Sequence, residues 1–200
     1  FSDFITIGMD QVVRQGANIR YMFGGQIEGS MVLRGPTGAY LQAAAQHSHM
    51  FEAWFAHIPG LKVVLPSDPY DAKGLMISAI RDNNFVLYFE HKKLYAKKGE
   101  VPEEPYEVEI GKAGVKREGT DVSIISYAYM TQLALEVAAE LEKVGISAEV
   151  VDLRSVSPID YETILASVSK TRRAVCLQEA YLASSVMSEV AATINEELYG

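Results

Sequence analysis

Apolar residues recur along the 200-residue chain in two alternating patterns. Over residues 3–21, Phe4, Ile7, Val12 and Ile19 fall at roughly helical spacing; Met22 continues the stripe and Gly24-Gly25 ends it, predicting a first helix. A short strand is expected at 31–33, leading into the loop Arg34-Gly35-Pro36-Thr37-Gly38, and a second helix from about 47 to 56, before Pro59-Gly60. Residues 61–65 form a compact, mostly apolar run stopped by Pro66, which suits a buried strand. Ser67-Asp68-Pro69 then places a capping side chain just ahead of a proline, a start signal for a helix through Leu75 and Ala79 to Asp82. Another apolar strand is predicted at 85–89. Helix alternating with strand is the signature of a parallel sheet with helices on its faces.

Residues 92–109 interrupt that rhythm with lysines, glutamates and prolines, and read as a polar, extended linker. Alternation then resumes, with strands at 122–126, 148–153 and 174–177 and helices at 130–144, 161–168 and 184–198; Gly145 stops the first of these helices. The expected architecture is therefore α/β, as two three-layer α/β/α domains with mainly parallel sheets. The boundary falls in the linker, giving domains 1–105 and 106–200.

Composition narrows the function. A hydrophobic content of 48% supports a real core, and a formal charge of −8 opposes any nucleic-acid or anionic-membrane surface. No apolar run approaches the roughly 18 residues of a membrane span. The single Cys176 forms no internal disulfide and points to a reducing compartment, cytoplasmic or an organelle matrix; its apolar surroundings suit a buried small hydrophobe rather than a nucleophile. The chain starts at Phe1 inside an amphipathic pattern and stops directly after a helix, so both ends are expected to be cuts in a longer protein.

Candidate chemistry starts at His47, which small residues (Ala43 to Ala45) lead into the expected helix start. A helix N-terminus disfavours the imidazolium, and histidine is the side chain suited to proton transfer near neutrality. A capping or packing histidine is the alternative. His47-x-His49 has metal-ligand spacing but no third ligand to match it, and His57 and His91 read as surface or structural. At 78–84 a helix closes on Asp82, Asn83 and Asn84, leaving carbonyls that suit a hard cation or an ordinary helix stop. Gly24-Gly25 and Gly35-Pro36-Thr37-Gly38 match no phosphate-binding motif.

Several blocks taken in order resemble one family. They are Arg20-Tyr21-Met22-Phe23-Gly24-Gly25-Gln26, Arg34-Gly35-Pro36-Thr37-Gly38, Ala45-Gln46-His47-Ser48, the run from Glu52 to Val64, Ile80-Arg81-Asp82-Asn83-Asn84, Gly111-Lys112-Ala113, and the run from Val151 to Asp160. They are similar to the beta subunits of the pyruvate, branched-chain 2-oxoacid and acetoin dehydrogenases. The resemblance implies a transketolase-like pair of domains, a pyrimidine-binding domain followed by a transketolase C-terminal domain. It also implies thiamine diphosphate shared with an alpha subunit that holds its Mg²⁺, and an α2β2 heterotetramer with a second beta subunit. The activity it implies is oxidative decarboxylation of a 2-oxoacid, with acyl transfer to a lipoyl group on the lipoyl domain of an acyltransferase core; the cofactor carries the carbanion chemistry. By position, Phe4 matches the aromatic that packs on the aminopyrimidine and His47 the histidine linked to acylation of the lipoyl group. Met31, Ala79, Asp82 and Asn84 match positions that supply a structural K⁺ site, largely through backbone carbonyls.

The chain also departs from that pattern. The family's glutamate for the aminopyrimidine lies upstream of Phe1, and the stretch from Ala39 to Ala43 replaces a glycine-rich loop. His49 stands where glutamine is usual and Phe85 where proline is frequent. These 200 residues alone are expected to be inactive. The alternative reading is a non-catalytic α/β fragment or subunit-interaction module of the same superfamily.

Overall fold

Strands that are apolar at every position must be covered on both faces, and the computed structural model, which describes residues 1–40 and 42–199, shows how. In the first sheet β1 (Met31–Thr37), β3 (Phe85–His91) and β2 (Leu61–Val64) run parallel in the order β1-β3-β2. Val64, Val86 and Tyr88 face α3 (Pro69–Arg81), which contributes Leu75 and Ala79. Val63, Leu87 and Phe89 face the opposite side, towards Phe55 of α2 (Glu52–Ala56). The start signal at Ser67-Asp68-Pro69 acts as expected: the Asp68 carboxylate accepts from the Asp71 amide at 2.8 Å, with Pro69 in the first turn.

The second sheet has the order β4-β6-β5-β8, from β4 (Gly114–Arg117), β6 (Ala148–Asp152), β5 (Val122–Ser126) and β8 (Ala174–Cys176). Strands β6, β5 and β8 are parallel, and β4 runs antiparallel at the edge beside β6. Ala134 and Ala138 of α4 (Tyr129–Glu142) cover Ile124 and Val150. Ile164 and Val168 of α5 (Tyr161–Thr171), with Val190 and Ile194 of α6 (Val186–Tyr199), cover Ile125 and Val151 on the other face. Each buried valine and isoleucine among them contributes on the order of 1.5–3 kcal/mol.

Five expectations need correction. β1 continues through Arg34 to Thr37, where the sequence predicts a loop. The helix predicted over 3–21 is a 3-10 turn (Ser2–Gly8), a π-helical segment (Asp10–Gly16) and one α turn, α1 (Ile19–Met22). Gly16 explains part of this: a Cβ there would lie 2.2 Å from the Phe85 ring, so the backbone meets the sheet directly. The helix predicted over 47–56 begins only at Glu52, because the backbone before it is tied sideways. Thr37 Oγ1 donates to the His49 carbonyl at 3.0 Å, and the His49 amide donates to Asp3 at 3.2 Å. The linker expected to be extended over 92–109 opens with a 3-10 turn (Lys92–Ala96), and its later part lies along α3: Ser78 donates to the Val108 carbonyl at 2.6 Å and Tyr106 stacks on Tyr70. Finally, β4 and a three-residue strand, β7 (Ser155–Ser157), have no counterpart in the apolar pattern. β7 pairs antiparallel with β2, so a segment of the second half extends the first sheet, and one apolar cluster runs from Phe55 and Phe89 through Tyr127 to Ile164.

Among the described residues no helix is long and apolar enough to cross a membrane.

Candidate active site

Phe1 and Phe4 meet His47, more than forty residues further along the chain, at one end of the first sheet. The His47 ring lies 4.4 Å from Phe1 and 5.5 Å, edge-on, from Phe4. His47 stands five residues before α2, so the expected helix N-terminus is not what surrounds its ring. What fixes it is main-chain anchoring: the Lys92 ammonium donates to the His47 carbonyl and sits 5.0 Å over the Phe1 ring. Burial pushes the Lys92 amine down, while the charges of Asp3 and Glu179 act the other way.

His49 turns away from His47. Its Nδ1 lies 2.6 Å from Asp3 Oδ1, and its ring stacks on Phe51. Burial works to raise the Asp3 carboxyl, and hydrogen bonds from the His49 ring and from backbone amides more than offset it, holding Asp3 below the usual carboxylate range. The His47-x-His49 pair therefore converges on nothing, and among the described residues no group of three His, Cys, Asp or Glu side chains is arranged to hold a metal. Cys176 is half-buried beside the core, and burial pushes its thiol up, as expected of a packing residue.

Phe4 is 52% exposed and forms one wall of an apolar cleft of about 640 Å³. Ile5, Gln11, Val12, Met31 and Phe85 supply the rest of its character. An exposed aromatic face in an apolar cleft, next to an imidazole, suits a flat heteroaromatic ring. A larger groove, about 1150 Å³, runs past Trp54, Tyr161 and Tyr181; neither Phe4 nor His47 lines it.

The four candidate cation positions gather at the opposite end of β3. Met31 pairs in register with Phe85, next to Asn84, and the turn from Ala79 to Asn84 closes α3. Asp82 is already committed: its carboxylate pairs with Lys62 and accepts from the Asn84 amide and side chain, both at 2.8 Å. Asn84 Oδ1 accepts from Arg20 at 3.2 Å. Any cation here would have to rely on backbone carbonyls.

Two polar groups escaped the sequence reading because their members are distant along the chain. Between the halves, Asp71 accepts two hydrogen bonds from Arg154, each 2.9 Å, and one from Lys116, which also reaches Asp68 at 2.7 Å. Asp152, fully buried, accepts from Ser67 at 2.5 Å; burial pushes its carboxyl up to about 6 despite Lys116. Closer to His47, His91 pairs with Glu179 at 2.6 Å. The adjacency of Asp152 and Arg154 was visible in sequence, but nothing in the sequence pointed to their partners in the first half.

Comparison with known proteins agrees with this architecture. Residues 1–98 match the family described as the transketolase pyrimidine binding domain, and residues 111–200 the transketolase C-terminal domain. The chain is 50% identical over its whole length to the beta subunit of an acetoin:2,6-dichlorophenolindophenol oxidoreductase from Cupriavidus necator, covering 59% of that protein. It is 52% identical, over 98% of its length, to the pyruvate dehydrogenase E1 component subunit beta of Bacillus subtilis, covering 61% of it. The 2-oxoisovalerate dehydrogenase subunit beta of the same organism is 48% identical over the same share of the chain, which covers 60% of that protein. The chain thus spans about three-fifths of the length of the relatives it matches. A solved structure described as a split-gene transketolase, inactive beta4 tetramer, superposes with a TM-score of 0.72 at 26% identity, over 96% of this chain and 61% of that one. Two transketolase domains, matched in order over most of its length, make this a transketolase-like chain, and about half its residues are identical to those of these beta subunits.

Proposed function

We propose that this chain is the greater part of a beta subunit of a thiamine-diphosphate-dependent 2-oxoacid dehydrogenase. In that role it works with an alpha subunit in an α2β2 assembly and delivers acyl groups to the lipoyl domain of an acyltransferase core. The observation that carries the reading is the Phe1–Phe4–His47 cluster, whose two phenylalanines line the apolar cleft. Phe4 offers the flat apolar contact an aminopyrimidine needs, and His47 beside it supplies a ring nitrogen for proton transfer during acylation. Bound thiamine diphosphate supplies carbanion stabilisation, and the alpha subunit is the proposed holder of its Mg²⁺.

The test uses the full-length beta subunit assembled with its alpha subunit. Phe4→Ala should raise the Kd for thiamine diphosphate roughly tenfold, the loss of one aromatic contact. His47→Ala should lower the ratio of lipoyl acylation to decarboxylation by about 100-fold, the scale of one acid–base group. Equal loss of both steps in His47→Ala, or unchanged cofactor affinity in Phe4→Ala, refutes the assigned roles. We further assign a structural K⁺ to the carbonyls of Met31, Ala79, Asp82 and Asn84, where β1, β3 and the end of α3 meet. K⁺ should then raise the Tm relative to a non-binding cation at equal ionic strength, and identical melting curves would remove the site.

A further inference from the structure

His91 is the last residue of β3, buried, with its ring stacked 5.1 Å from Tyr129. The Lys93 amide donates to its Nδ1 at 3.2 Å, so the hydrogen sits on Nε2. Nε2 donates to Glu179 Oε2 at 2.6 Å, and the other oxygen of that carboxylate accepts from the Ala39 amide at 2.7 Å. Gly38 presses on the same ring: at φ +95° a Cβ would lie 2.2 Å from His91 Nε2. The next residue, Lys92, holds the His47 carbonyl. Main chain on both sides of the segment bearing His47 is thus gripped by two neighbouring side chains of one strand end and by a carboxylate from the second half.

We propose that His91, Glu179 and Lys92 are positioning residues for His47, holding Ala39 and the His47 carbonyl so that the imidazole stays against Phe1 and Phe4. This rests on the acylation role given to His47 above. It makes Glu179, which lies beyond β8, a determinant of acyl transfer although it is placed far along the chain from His47. Burial works to raise the Glu179 carboxyl, and the bonds from His91 and Ala39 with the charge of Lys92 overcome it, so the carboxylate is held ionised to accept both donors.

The experiment compares His91→Phe with His91→Gln in the full-length subunit assembled with its alpha partner. Phe keeps the ring packed on Tyr129 but loses the donor, whereas Gln places an amide donor where Nε2 stood. The readout is the ratio of lipoyl acylation to decarboxylation, the latter followed with dichlorophenolindophenol as acceptor. Positioning through the hydrogen bond predicts a ratio lowered about tenfold or more in His91→Phe and largely kept in His91→Gln, since displacement of about 1 Å carries penalties of this scale or larger. The reverse order, or no change in either, overturns the proposal in favour of plain packing. Should His91→Phe not fold, Glu179→Ala carries the same comparison, with the same fall expected and an unchanged ratio decisive against. His47→Ala in the same assay separates the two claims. If it lowers the ratio and the His91 and Glu179 variants do not, positioning alone fails; if it lowers both steps equally, the His47 reading fails and this role with it.

Discussion

Asp71→Asn tests how the two halves are held together. The Asp71 side chain is fully buried and takes two hydrogen bonds from the Arg154 guanidinium and one from Lys116. Asparagine keeps the shape and one acceptor but turns an NH₂ towards a cation. Two half-buried cations then face only Asp68 at the edge of the cluster and Asp152, whose carboxyl burial pushes up to about 6. Removing one partner of a buried pair costs about 3–5 kcal/mol, because the other charge is left without compensation. An exposed pair gives the contrast: Arg14 and Asp10 are 75% and 51% exposed, and Asp10→Asn should cost less than about 0.5 kcal/mol. Urea unfolding at pH 7 and fixed protein concentration measures both. The double variant Asp71→Asn/Arg154→Met supplies the cycle: it should be more stable than the sum of the single losses by roughly 2 kcal/mol, since the stranded guanidinium is gone. A single-variant loss under about 1 kcal/mol, or strict additivity in the cycle, would refute the view that this buried charge cluster joins the halves.

Two further outcomes follow from the same structure. Asp152 has a folded-state value of about 6, raised chiefly by burial, above the ordinary 3.8. Its contribution to stability is therefore fully present below about pH 4 and lost as pH rises through 6, a change on the order of 3 kcal/mol. Asp152→Asn should remove that component, so the difference in unfolding free energy between variant and wild type should shift in the variant's favour from pH 4 to 7; a constant difference would contradict the burial argument. Gly60→Ala should destabilise by roughly 2–4 kcal/mol, because φ is +90° and a Cβ would lie 2.1 Å from the Ala17 carbonyl. A loss below about 0.5 kcal/mol in thermal or urea unfolding would show that the turn before β2 relaxes freely.

The parts of the fold legible in sequence are those whose signal is local. β2, β3, β5 and β6 each bring apolar side chains to both faces, so a run such as Leu61-Lys62-Val63-Val64 announces a covered strand without any knowledge of its neighbours. The start of α3 was equally legible, because Asp68 caps the helix it precedes. β4 and β7 were not. Both are short and carry polar residues, and their reason to be extended lies elsewhere in the chain: Val64 pairs with Ser155 and Arg117 with Val150. The missing start of the 47–56 helix has the same cause. Its sequence is compatible with helix, and bonds from Thr37 and to Asp3 take the backbone groups a helix would use.

The site divides along the same line. His47 could be singled out because it sits in a recognisable block, and Phe4 by its position ahead of those blocks, whereas Glu179 and Arg154 gain meaning only from partners 88 and 83 positions away. That distance bears on how the molecule is divided. The boundary we propose near residue 105 separates the path of the chain into two sheets, but not its core or its polar contacts. Tyr127 donates to the buried Glu52 at 2.7 Å, Glu179 holds Ala39 and His91, and β7 completes the first sheet. Each of these contacts comes from the second half and ends on a residue flanking His47 or on the sheet behind it. A second half displaced by even 1 Å would move the anchors of His47, so the rigidity that the proposed proton transfer at His47 requires is a property of the seam rather than of either domain.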